Sequence, residues 1–574
     1  MANQAPRSEI AEALKACRSA FLGIGLLSGV INVLYLTGSF FMLEVYDRVL
    51  PSRSIPTLIG LIIITAILFG FLGVLDLIRG RVLVRIGSSI DEALSPRVYD
   101  TVVRLPLKTR VGGDGLQSVR DLDQVRSFLS GLGPVALFDL PWMPLYLVIC
   151  FAFHVWIGVA AVVGALILVG LTLMTEIFSR GPAKEASTHA ASRNALAEAS
   201  RRNAEVVQAM GMGRRLYAIW GEVNAKYMES QRRASDVAGG IGSISKVMRM
   251  AVQSAVLGVG AYLVIQQQAT AGVIIASSIL TARALAPVEL AIAHWKGFLA
   301  ARQSWKRLSD LLAKLPAFGD VMKLPRPAAT ITVESVSVAP PGVQKIVVQD
   351  VSFALKAGHG LGVIGPSASG KSSLARALAG VWTPLRGKIR LDGAALEQWV
   401  PEELGRHVGY LPQDVELFAG TVAQNISRFE VDPPPETVIE AAKAAGVHEL
   451  ILRLQDGYET QIGEGGAVLS AGQRQRVALA RAMYGNPFLV ILDEPNSNLD
   501  NEGELALTQA ILTMRSRGSI VIIVAHRPSA LASVDQVLVM AEGRLQAFGA
   551  KEEVLAKMTR QPAPPPLAVV PQKG

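Results

Sequence analysis

Gly365-Pro366-Ser367-Ala368-Ser369-Gly370-Lys371-Ser372 is the stretch on which the reading of this chain turns. It has the spacing G-x-x-x-x-G-K-S, the pattern of a loop that wraps phosphate. Glycines at 365 and 370 let the backbone approach the ligand closely, and a helix beginning there offers N–H groups with no partner of their own. Lys371 is expected to reach the terminal phosphates, Ser372 to help hold magnesium, and Ser373 to extend the phosphate contacts into the first helical turn. The apolar run Gly360–Ile364 just upstream predicts a strand, which is the context this loop requires.

Downstream, Phe488–Leu492 is a five-residue apolar run that ends in Asp493-Glu494. A buried strand there delivers Asp493 to a magnesium site at its C-terminal edge and leaves Glu494 to polarise an attacking water. Upstream, Ile331–Val338 and Val347–Leu355 also predict strands, and 318–330, with Pro325 and Pro327, predicts a linker. The expected α/β nucleotide-binding domain covers 331–555. Residues 556–574, containing Pro562-Ala-Pro-Pro-Pro566, predict a flexible tail.

Before about residue 317 the composition changes character. Half of the 574 residues are hydrophobic and only 18% are charged, with a mean hydropathy of +0.36. The apolar residues crowd into runs near the roughly 20 residues a helix needs to cross a bilayer. Six spans are expected: Phe21–Leu43, Thr57–Ile78, Phe138–Phe153 with a start near Pro134, Trp156–Thr175, Met248–Ile265 and Gly272–Ile292. Residues 79–130 hold nine Lys/Arg, and a second basic stretch runs from Arg180 to Arg249. The links at 44–56, 154–155 and 266–271 hold only Arg48 and Arg53. Basic residues gather on the cytoplasmic side, so both termini and the nucleotide domain are expected there. The long basic segments are expected to carry the helices into the cytoplasm before they turn back.

The net charge of +9 fits such cytoplasmic loops, and no compact basic block with interleaved aromatics suggests nucleic acid. Cys17 and Cys150, the only two cysteines, exclude a disulfide framework and predict inert packing. Residues 1–20 read as a cytoplasmic lead rather than a cleaved signal, too short for an added peptidase domain. Arg283 in the sixth span reads either as lining the transport route or as a helix-helix or interfacial group. His294 reads as structural.

The ordered motifs resemble the ATPase of the ABC transporter superfamily: a multi-domain protein with an all-α six-helix exporter domain followed by a P-loop α/β domain. The resemblance covers almost the whole chain and implies ATP and Mg2+ as ligands. Leu469-Ser470-Ala471-Gly472-Gln473 matches the family signature LSGGQ, departing at Ala471. In the family this segment closes the ATP site of the opposite subunit, which implies a homodimer. Gln413 stands where the family has a magnesium-sensing glutamine loop, Ser497-Asn-Leu-Asp500 resembles the D-loop, and His526 matches the switch histidine. The implied metal set is Ser372, Gln413 and Asp493; the implied catalytic set is Glu494, His526, Gln413 and Lys371. The usual aromatic that stacks on adenine is missing from Val336-Ser-Val338-Ala339-Pro340-Pro341, leaving adenine to aliphatic groups or a side chain from elsewhere.

Val45-Tyr-Asp-Arg-Val-Leu-Pro51 and Asp493-Glu-Pro-Asn-Ser-Asn-Leu-Asp500 narrow the resemblance to the inner-membrane ATPase of bacterial type I protein secretion, in its protease and haem-binding-protein exporter subgroup. That subgroup implies a periplasmic membrane-fusion adaptor, an outer-membrane channel and an unfolded secreted protein with a C-terminal signal. The short lead disfavours relatives that cut double-glycine leaders. An exporter of lipid, polysaccharide or small amphiphiles has the same architecture and stands as the alternative.

Overall fold

The computed structural model describes residues 9–109, 115–316, 324–499, 501–525 and 528–559. The chain divides into two compact units, residues 1–106 with 111–317, and 107–110 with 318–574.

The first unit is helical. Among the described residues six helices are long and apolar enough to cross a membrane: Arg18–Ser52, Ile55–Lys108, Leu132–Phe153, Val155–Arg202, Gly213–Ile265 and Ala271–Ala293. Each predicted span falls inside one of them. The second, fourth and fifth run 54, 48 and 53 residues, so at 1.5 Å per residue each reaches roughly 70–80 Å, far beyond a bilayer of about 30 Å. The basic segments therefore are helical continuations of the spans, as expected. Along the second span Ile59, Ile63 and Ile67 stay exposed, as a face meeting lipid requires. The fourth and fifth helices approach closely at Gly164, where a β-carbon would stand 2.3 Å from a methyl of Val252.

The links on the far side are short. His154 is extended, and its Nδ1 accepts the Trp156 N–H at 3.2 Å, capping the fourth span. In the first link Val45–Val49 forms a π-helical turn, and Asp47 accepts from the Thr270 hydroxyl and, at 2.8 Å, from the Gly272 N–H at the head of the sixth span. The third span begins at Leu132, a little before the expected start near Pro134. It is interrupted by a 3-10 turn at Leu140–Trp142, where Pro141 removes a donor. Residues 9–16 are more than a lead: they form a helix whose Ile10 is buried and whose Glu9 pairs with Arg97 at 3.0 Å. Both cysteines are buried and free.

The second unit holds two sheets. β1 (Thr330–Val338), β2 (Val348–Lys356), β4 (Arg386–Leu391) and the short β5 (Ala394–Ala395) form an antiparallel sheet in the order β2-β1-β4-β5. β3 (Gly360–Ile364), β6 (Val408–Leu411), β7 (Leu489–Asp493), β8 (Ile520–Val524), β9 (Gln536–Ala541) and β10 (Arg544–Ala550) form the other, in the order β10-β9-β3-β8-β7-β6. From β9 to β6 this sheet is parallel, and β10 returns antiparallel along β9. β7 and β8 are buried at every position, which is why they read as continuous apolar runs. The last helix, Lys551–Thr559, runs past the expected domain end at 555, and the proline-rich segment that follows lies outside the described residues.

Candidate nucleotide site

Parallel strands bring their C-terminal ends to one edge, and the loops leaving that edge carry the predicted residues. β3 ends in the phosphate loop, β7 in Asp493-Glu494 and β6 two residues before Gln413. β8, which pairs Val524 with Asp493 and with Val363, leads through Ala525 to position 526. His526 itself lies outside the described residues, as does Asp500.

The loop has the geometry of a cradle. Gly365 and Gly370 hold φ of +152° and +95°, and a β-carbon would stand 2.1 Å from the Met540 carbonyl oxygen at Gly365 and 2.6 Å from that of Val347 at Gly370. Both positions therefore require glycine. Pro366, Ser367 and Ala368 are exposed, and Ser369 is buried. Lys371 opens the helix Lys371–Leu378, with Ser372 and Ser373 in its first turn. The Lys371 ammonium donates to the carbonyls of Gly365 and Pro366 at 3.0 and 2.8 Å, inside its own loop. Burial lowers its pKa, opposed by Glu494 and Asp493.

Of the three residues expected to hold metal, Ser372 and Asp493 are in hydrogen-bond contact. Ser372 Oγ donates to Asp493 Oδ1 at 3.1 Å although 121 residues separate them. Asp493 is 1% exposed, and its other oxygen is buried with no hydrogen-bond partner, as is the Ser369 hydroxyl. Burial raises the Asp493 pKa; the Ser372 hydrogen bond lowers it and the Glu494 charge raises it further. A buried carboxylate with a spare oxygen beside a hydroxyl is an oxygen donor set suited to Mg2+. Glu494 sits at φ +53°, a left-handed conformation costly for a side chain of this size. Its N–H bonds to Val524 O at 3.1 Å. Gln413 is exposed just beyond β6, whose Leu411 pairs with Leu492.

Ser470 caps the helix Ala471–Met483. Its hydroxyl accepts from the Gln473 N–H and the Gln473 side chain accepts from the Ser470 N–H at 2.8 Å, a reciprocal capping box. Ser470 and Ala471 are exposed. The departure at Ala471 is thereby explained, because a methyl there meets nothing that excludes it. Gly472 is different: a β-carbon would stand 2.9 Å from the Asn498 carbonyl. Gly472→Ala is expected to lower ATP turnover several-fold while Ala471→Gly leaves it within about twofold, measured by phosphate release; equal effects would contradict this packing.

One residue of this region is absent from the sequence reading. Gln475 is buried, its amide donates to Pro495 O, and its oxygen accepts from the Asn498 N–H at 3.1 Å. It ties the signature helix to the segment that follows Glu494. Only its place two residues after Gln473 pointed to it. In the segment expected near adenine, Val336 and Val338 are fully buried in the sheet core, and Ala339, Pro340 and Pro341 are half-buried.

Known families place this geometry. Residues 348–497 match the ABC transporter family, and residues 21–287 match the ABC transporter transmembrane region. Over 550 residues the chain is 62% identical to the type I secretion system ATP-binding protein PrsD of Rhizobium meliloti, covering 96% of this chain and 94% of that one. The chain belongs to the type I secretion family of ABC exporters. More distant relatives include the exotoxin translocation ATP-binding protein PaxB of Pasteurella aerogenes, 30% identical over 94% of this chain and 76% of its own. The toxin RTX-I translocation ATP-binding protein of Actinobacillus pleuropneumoniae is 29% identical over 94% of this chain and 77% of its own. In fold, the exporter resembles a bacterial Atm1-family ABC exporter solved with ATP bound, with a TM-score of 0.80, 21% identity and coverage of 94% and 96%. The exporter is thus a multi-pass inner-membrane ATPase that couples ATP hydrolysis to export, with its nucleotide domain in the cytoplasm.

Proposed function

We propose that two copies of this exporter work together and drive an unfolded secreted protein, selected by its C-terminal signal, out of the cell. The 62% identity to a type I secretion ATP-binding protein along nearly the whole chain carries this reading. A periplasmic membrane-fusion adaptor and an outer-membrane channel would continue the route. The exposure of Ser470 and Ala471 supports the homodimer, since a helix start open there is available to a nucleotide on the facing copy.

Within each site the loop 365–373 would hold the phosphates through backbone N–H groups and Lys371, whose ammonium would exchange its loop carbonyls for phosphate oxygens. Ser372 and Asp493, with Gln413 alongside, would hold Mg2+, which supplies positive charge against the charge developing on the phosphates. Glu494 would accept the proton of the attacking water and His526 would contact the terminal phosphate.

The test is ATP hydrolysis by the purified exporter in nanodiscs, with and without C-terminal fragments of secreted proteins encoded beside it. A change in rate of twofold or more, absent with a scrambled fragment, is expected. Response to lipid or small amphiphiles alone would move the assignment to an exporter of those compounds.

A further inference from the structure

The membrane unit encloses a cavity of about 400 Å3 lined in part by Asn32, Tyr35, Asp76, Arg79, Asp139 and Arg283. These polar side chains come from the first, second, third and sixth spans, where charges are rare and costly. Their pairing is uneven. Arg79 binds Asp139 at 2.9 Å and Asp76 at 2.6 Å. Asp139 accepts in addition from Asn32 at 2.9 Å, and Tyr146 donates to Asn32 at 2.9 Å. One arginine thus engages both carboxylates of the cavity wall.

Arg283 is left over. Among the described residues no carboxylate forms an ion pair with it, and it is exposed. Its guanidinium lies over the Tyr35 ring, 4.2 Å from the centroid. A guanidinium held over a ring by its cation–π contact keeps N–H donors that the ring does not use, and a planar fork of such donors can grip a carboxylate with two parallel hydrogen bonds. Arg283 lies twelve residues after Ala271, the first residue of the sixth span, so about 18 Å along the helix. That depth is well inside a bilayer. The remaining wall includes Leu83, Val135, Pro287 and Leu290, apolar surface that suits neighbouring side chains of an extended polypeptide.

We propose that Arg283, placed over the Tyr35 ring, is a carboxylate-binding station for the exported polypeptide, taking an acidic side chain or the free C-terminus as the chain passes. This deepens the polypeptide-cargo reading and rests on it. Asp76 and Asp139 both bind Arg79, so of the two guanidinium groups on the cavity wall only that of Arg283 has no carboxylate partner among the described residues.

The experiment uses the full-length chain in zwitterionic-lipid nanodiscs and three twelve-residue peptides carrying a neutral dye. One has four Glu and an amidated end, one has Gln instead with a free C-terminal carboxylate, and one is neutral and amidated. At least one carboxylate peptide is expected to bind the wild type about tenfold more tightly than the neutral one. Which of the two does so identifies the source of the carboxylate. Arg283→Gln should bring all three within about twofold, and Arg283→Lys should keep only a part of the preference, because an ammonium keeps the charge without the planar fork. Equal binding of the three to wild type overturns the proposal, a measurement needing no variant. So does a preference that survives Arg283→Gln. Retention of phosphatidylglycerol by wild type but not by Arg283→Gln, with no peptide preference, would make the cavity a headgroup site and also overturn it. None of the peptides carries a secretion signal. An exporter that prefers the carboxylate peptides yet ignores secreted-protein fragments would lose the cargo assignment and keep the station.

Discussion

Glu494→Gln is expected to lower ATP turnover by about a hundred- to ten-thousand-fold while nucleotide still binds, the range associated with losing a general base. The substitution keeps the size but replaces the carboxylate that would take the proton from water with an amide that is not basic. Glu494 follows Asp493 at the end of β7, and its left-handed φ of +53° turns the chain sharply where the strand stops. Such strain persists where surrounding structure holds it, here through the Glu494 N–H to Val524 O bond at the end of β8. Glutamine adopts that backbone no worse than glutamate, so the fold and the Ser372–Asp493 pair should survive. Phosphate release and binding of a fluorescent ATP analogue, run on the same nanodisc preparation, check the two halves of the expectation. A variant that hydrolyses at more than a tenth of the wild-type rate would remove Glu494 from the role of base.

Asp139→Ala is expected to destabilise the membrane unit by about 3 kcal/mol, the lower end of the cost of removing one partner from a buried ion pair. Asp139 accepts from Arg79 and from Asn32, and Arg79 is 4% exposed. Without Asp139 the guanidinium keeps Asp76 and the Ser28 hydroxyl, and the Asn32 amide loses its acceptor on the third span. The double variant Arg79→Met with Asp139→Leu should recover part of the loss, because it removes the buried pair together and leaves without a partner only Asp76, whose side chain is half-exposed. Thermal unfolding in nanodiscs reads both effects. A double variant no more stable than the single would mean that the lost contacts, and not an unpaired charge, set the cost.

The two halves of the molecule differ in how much of this was visible beforehand. In the nucleotide unit the phosphate loop, Asp493-Glu494 and the signature are short contiguous motifs, and each stands at the end of a strand or start of a helix that its neighbours dictate. Glycines at 365 and 370 are required by carbonyls of Met540 and Val347, yet their spacing alone announced the loop. The six spans were legible for a similar reason: a hydrocarbon layer demands length and apolarity, and both are one-dimensional properties of sequence. What the sequence left open were boundaries set by local packing, such as the helix start at Leu132 and the ordered helix Glu9–Ala16.

Tertiary structure decided the partnerships. Ser372 with Asp493, Gln475 with Asn498, Asp47 with Gly272 and Asp139 with Arg79 join residues far apart in the chain, and no local propensity encodes which acidic residue meets which basic one. Asp139 and Pro141 blurred a span boundary when read in sequence; in the fold, Asp139 binds Arg79. Arg283 stood open between the transport route and a helix-helix pair, and its place over Tyr35, with no carboxylate partner among the described residues, became visible only once Asp76 and Asp139 were engaged by Arg79. Sequence by itself determined the class of machine, because crossing a membrane and wrapping phosphate impose patterns on consecutive residues. Only the fold determined which charges are satisfied and which remain available, because charge pairing depends on distance in space.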